Sequence, residues 1–185
     1  MDTDNRLRQK LILPTLRGKM GDWFYYVTLL PFKEVANRVV FDTKTVHHSH
    51  KLDDGKMTQI TFEIVDYLKK QEQRFFNSLI LGIYDGSPTW QEIDILGNQN
   101  VYEDFSEDSL DYLSRTFGIL TLNGNEKIFV IEGQHKVQAI KEAVKQEKIL
   151  ANEEIAAIFV AHKETPEGKM RTKQLVSNLN QYSHL

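Results

Sequence analysis

Five consecutive residues, Glu132-Gly133-Gln134-His135-Lys136, concentrate the groups that could do chemistry in this chain of 185 residues. A carboxylate can hold a metal or orient a water, an imidazole can act as acid or base near neutral pH, and an ammonium can pair with a phosphate. Ahead of them, Ile128-Phe129-Val130-Ile131 is apolar and rich in β-branched residues, which predicts a strand buried on both faces. Behind them, Val137, Ile140 and Val144 recur at helical spacing. A strand that ends in glycine and polar groups at the mouth of a helix is a common anion site. The first helical N–H groups have no intrahelical partner, and the helix dipole adds positive potential there. The same residues also fit a plain strand-to-helix turn in which Gly133 relieves backbone strain.

Composition narrows what can stand around that junction. The length suits one domain, or one domain with an arm, with enough chain to bury a core. A hydrophobic share of 41%, a charged share of 26% and a net charge of −3 describe an ordinary globular protein without a general affinity for polyanions. No apolar run approaches the ~18 residues that span a membrane, and no signal-like stretch opens the chain, so a cytoplasmic protein is expected. There is no cysteine, which excludes disulfides, thiol nucleophiles, iron–sulfur clusters and cysteine-ligated zinc.

The positioning elements follow from periodicity and punctuation. Residues 1–20, with Arg6, Arg8, Lys10, Arg17 and Lys19, read as a solvated arm, and 21–185 as the domain. Trp23 to Leu30 predicts a strand and Pro31 the start of a helix, Phe32 to about Phe41, in which the role of Arg38 is open. His47, His48 and His50 invite a metal reading, but without a carboxylate at helical spacing the segment reads as a surface loop. Met57 to about Arg74 predicts an amphipathic helix, and Ser78 to Tyr84 a buried strand. From Asp85 to Asp111 there are eight acidic residues and no Lys or Arg. That run could attract Mg²⁺ or Ca²⁺, yet it lacks a calcium-loop pattern and reads as a solvated insertion. Ser106 predicts the cap of a helix to about Arg115. Thr116–Leu122 and Lys127–Ile131 around Asn123-Gly124-Asn125 predict a hairpin. A helix from about Gln134 to Ile149, a strand Ile155–His162 and a last helix, Lys169 to about Tyr182, complete the chain. It stops there without an obvious cap, as a fragment of a longer protein would. The fold class expected is α+β: a mixed sheet of about five strands with helices packed on it.

Ile131 to Ile140 resembles the signature of the DGQHR-domain, DndB-like family within the ParB/sulfiredoxin-like superfamily. The last helix, Arg171 to Asn180, is similar to that family's R-x-x-x-L-F-x-x-x-N segment, and the order of elements between the two motifs fits as well. Three positions depart from the pattern. Glu132 replaces Asp and lengthens the carboxylate. Lys136 replaces Arg, keeping the charge but losing the guanidinium fork. Val176 stands where Phe is usual.

The resemblance implies a role beside DNA, in a phosphorothioation-type modification or phage-defence system. It implies phosphate binding by Gly133, Gln134, His135 and Lys136 with Arg171 and Asn180, and a nucleotide such as ATP or CTP with Mg²⁺. Glu132 and His135 would be the catalytic pair if the nucleotide is hydrolysed, with Glu132 as the metal ligand. Members that reduce sulfinic acid need a cysteine in this turn, so that chemistry is excluded. Lys141 and Lys173 are the candidate DNA contacts, although residues 133–185 carry only eight basic against six acidic residues. Two further readings remain beside a nucleoside triphosphatase: a DNA-binding transcriptional regulator with a non-catalytic signature, and a module that binds operon partners through residues 85–111. Self-association is left open.

Overall fold

A computed structural model of the chain describes residues 9–41, 58–94 and 105–182, without the side chains of Asn180 and Tyr182. The histidines at 47, 48 and 50 and part of the acidic run lie outside the described residues. The order is β1 (Leu11–Met20), β2 (Trp23–Pro31), α1 (Phe32–Arg38), β3 (Val39–Val40), α2 (Gln59–Lys70), β4 (Leu79–Tyr84) and β5 (Thr89–Glu92). Then come α3 (Glu107–Thr116), β6 (Phe117–Leu122), β7 (Lys127–Glu132), α4 (Gln134–Gln146), a 3-10 helix (Lys148–Asn152), β8 (Glu154–Ala161) and α5 (Pro166–Tyr182). The class is α+β, as expected. The sheet is mixed and has eight strands among the described residues rather than about five, in the order β3-β7-β4-β8-β2-β1-β6-β5.

β7 is the strand the sequence pattern promised. Ile128 and Val130 belong to the main core with Val35 of α1, Val65 and Leu68 of α2, and Val137 and Ile140 of α4. Phe129 and Ile131 face the other way, where Leu175, Val176 and Leu179 of α5 cover them. A strand flanked by helices on both faces must be apolar throughout.

Two expectations fail for physical reasons. Leu11–Met20 is not part of a solvated arm: it is an inner strand paired with both β2 and β6. Its inward residues Leu13 and Thr15 are buried, and Pro14, which lacks an N–H, accepts a bond at its carbonyl from the Thr28 hydroxyl at 2.8 Å. The Asn123-Gly124 hairpin does not form either, because β6 pairs with β1 and β5 while β7 pairs with β3 and β4. The turn itself is real. Gly124 has φ +97°, and the buried Glu126 carboxylate accepts the N–H groups of Asn123 and Gly124 at 2.9 and 2.8 Å.

That short link also shapes the sheet. In the strand order β6 stands five places from β7, roughly 24 Å across a flat sheet. The stretch from Leu122 to Lys127 reaches roughly 17 Å at full extension. The sheet therefore curls back on itself, enclosing the main core.

Candidate functional site

The β7–α4 junction sits at one end of this sheet. Gly133 caps α4 in the left-handed region (φ 96°, ψ 29°), with no side-chain cap on the helix. An αL residue followed by a helical one turns successive N–H groups toward the same point, a concavity suited to an anion. Only glycine fits: a Cβ here would lie 2.6 Å from Leu79 Cδ2 on β4. Gln134 anchors the turn by donating from Nε2 to the Ile131 carbonyl at 2.8 Å.

A second helix begins at the same place. Thr58 caps α2, its hydroxyl accepting the Thr61 N–H at 3.2 Å. His135 Nδ1 lies 3.1 Å from Thr58 Oγ1 and 3.3 Å from Thr61 Oγ1, and Thr61 donates onward to Gln138 Oε1 at 3.2 Å. Eleven residues on in each helix, Lys69 reaches Gln146 at 2.9 Å. The two helices thus run parallel, with both N-termini beside the imidazole. Holding Nδ1 among hydroxyls leaves Nε2 as the ring nitrogen on the far side from α2.

The charges at the helix ends make the same point. Lysines close the last turns of both, Lys69 and Lys70 on α2 and Lys145 on α4, where a cation suits the dipole. Neither helix has an acid in its first turn, whereas α1, α3 and α5 each have at least one. Two aligned dipoles thus place positive ends together with no anion in either first turn. Glu132 stands one residue before the cap, paired with Ile80 across a register shift in the β4–β7 ladder, and its charge reaches Lys136.

Lys136 completes the junction. Its ammonium donates to the Asn77 side-chain oxygen, just ahead of β4. Burial pushes its pKa below the ordinary 10.5, against the smaller upward pull of Glu132. The folded chain therefore holds this proton less tightly than the unfolded chain. Without ligand, stability should rise with pH between the lowered value and 10.5, and Lys136→Met should flatten that rise in denaturant titrations.

Other expected site residues are placed elsewhere. Lys141 Nζ donates to the Ala36 carbonyl in α1 at 2.7 Å, a half-buried contact on the side of α4 that faces α1. Arg171 stacks 3.9 Å over Trp23 and donates to the Asp22 carbonyl at 2.6 Å. Trp23 opens β2, and the strand registers place it level with Lys127, five residues from Glu132 and three strands across. Arg171 is thus roughly 20 Å from the turn, so the structure does not join it to Gly133–Lys136. Lys173 is exposed on the same helix. No three acidic or imidazole side chains converge on a metal position among the described residues.

The residues that sequence reasoning missed are Thr58, Thr61, Gln138 and Asn77. Thr58 carried a signal, since a threonine before an apolar stripe is a helix cap. Thr61 carried another, because 61, 65 and 68 are the positions of α2 that are buried.

No helix among the described residues is long and apolar enough to cross a membrane. No curated protein and no solved structure matches the chain. A family model does, over residues 13–184, from the second residue after the start of β1 to beyond the end of α5. With nearly its whole length covered, the chain belongs to the DndB family, described as DNA-sulfur modification-associated.

Proposed function

We propose that the junction binds the phosphates of a nucleotide, and that the protein uses this site in a DNA-sulfur modification system. The reading rests on the two parallel helices whose N-termini meet at His135 without an acid in either first turn. In it, the N–H groups of Gly133 to Lys136 cradle phosphate oxygens, Lys136 adds a charge, and His135 turns Nε2 to the ligand. Glu132 holds Mg²⁺ on the phosphates or orients a water, the step that hydrolysis of ATP or CTP would need. A second reading, DNA contact, draws on exposed Arg171 and Lys173 at the opposite end of the sheet. The two ends can serve one protein, with DNA and proteins encoded beside it as partners.

Calorimetric titration with ATP, CTP and GTP in the presence of Mg²⁺ tests the first reading. Binding is expected for the wild type and should weaken about tenfold or more in His135→Ala, the loss of one charge-assisted contact. Affinity should also fall as pH climbs through the lowered pKa of Lys136, because the neutral amine no longer attracts phosphate. No binding by the wild type, or unchanged binding by His135→Ala, removes the reading.

A further inference from the structure

Among the described residues, the sheet face that carries α5 is only half covered. α5 lies over Phe129, Ile131, Ile80 and Val160, on β7, β4 and β8. Beyond it the same face continues across β2, β1 and β6. Strand pairing puts Leu16 opposite both Val27 and Phe117, Val27 opposite Ile158, and Pro14 opposite Ile119, so their side chains share one surface. In an antiparallel region with one face in water, the outward positions are normally polar. Here the outward residues from Ile12 to Leu16, Val27 to Leu29, Ala156 to Ile158 and Phe117 to Thr121 include no charged group. Ile12 and Leu29 are each 59% exposed, Leu16 41% and Phe117 40%.

We infer that this face is the interface between two copies of the chain. The exposed apolar surface amounts to roughly 400–500 Å², the size of the largest apolar patch on an ordinary monomer. A standard interface takes about 800 Å² from each partner, a little over half of it apolar, so the patch matches one partner's share. It is a sheet face rather than a groove between helices, and such faces bury best against another sheet, ~10 Å away with strands nearly aligned. A second copy supplies one of matching area and pattern. Isologous pairing needs only that the patch meet itself, and a two-fold axis near β1 and β2, the middle strands of the bare stripe, brings Leu29 and Ile12 of both copies to the centre.

Sedimentation velocity of the 185-residue chain tests this from about 1 to 100 µM, the range in which a weak dimer dissociates. A concentration-dependent dimer is expected. Ile12→Glu and Leu29→Glu should each weaken it by about 100-fold, as truncation of a central contact does. Both side chains are more than half exposed, so circular dichroism and melting temperature should stay close to those of the wild type. Ile149→Glu, on the 3-10 helix that packs on α1 and α4 and also exposed, should leave the dimer intact. A wild-type chain that stays monomeric, whether this face is bare or holds another protein, overturns the inference. So does a dimer indifferent to both substitutions.

Discussion

Gly133→Ala should destabilise the protein by about 3 kcal/mol, combining the cost of a left-handed non-glycine residue with that of overpacking. The two costs come from separate observations. The φ of +96° is strained for any residue with a Cβ, and the added methyl meets Leu79 Cδ2 at 2.6 Å. Leu79 is fully buried at the start of β4, so it has little room to withdraw. Leu79→Ala in the same chain should recover the steric part and leave the backbone part, which a double-mutant cycle in urea would resolve. Function should not return with stability. If the phosphate cradle depends on the αL turn, the double variant still fails to bind nucleotide, because the N–H groups of Gln134 to Lys136 no longer converge. Full binding by the double variant would locate the anion elsewhere.

How far this junction could be read from the sequence depended on whether its determinants are local. The switch from the apolar run 128–131 to the spacing of Val137 and Ile140 is local, and the strand, the turn and the helix all stand where it places them. The neighbours of His135 are not local. Thr58 and Thr61 lie 77 and 74 residues away, and Asn77 reaches Lys136 across 59. No periodicity links such positions. β1 was hidden by Pro14 and by Arg17 and Lys19, which look like arm residues until their neighbours are known. Arg17, for one, stacks 3.9 Å over Trp90 and pairs with Glu92 at 3.1 Å. The role of Arg38 also needed the fold: it bonds Glu34 at 2.5 Å and ties the Gln9 carbonyl to α1 at 2.7 Å. The hairpin reading failed because Asn-Gly specifies a turn, while strand pairing was decided by where Leu120 and Leu122 could be buried. The separation of Arg171 from the turn has the same origin. A motif fixes distances along α5, but the sheet decides which end of α5 lies beside which strand end.

Phe129 is where the two sides of that sheet depend on each other, and its removal should have the largest effect of any single truncation here. The ring is fully buried and meets Tyr84 at 5.8 Å and His162 at 5.3 Å, edge to face. It lies across Gly82, its partner on β4, where a Cβ would stand 2.2 Å from the ring. Phe129→Ala should cost about 4 kcal/mol, high in the usual range because the facing glycine has no side chain with which to fill the cavity. Against a typical total of about 5–15 kcal/mol, that is enough to leave the fold marginal. α5 should loosen first, since Leu175, Val176 and Leu179 rest on the same cluster. Gly82→Ala gives the complementary result. In the wild type it should destabilise by about 2 kcal/mol through overpacking. In Phe129→Ala the methyl enters the vacated space, so the same substitution should be neutral or stabilising. A cycle of four urea titrations measures the sign. Additive costs would mean that ring and glycine do not share the space the geometry gives them, and that β4 and β7 are held together by their ladder alone.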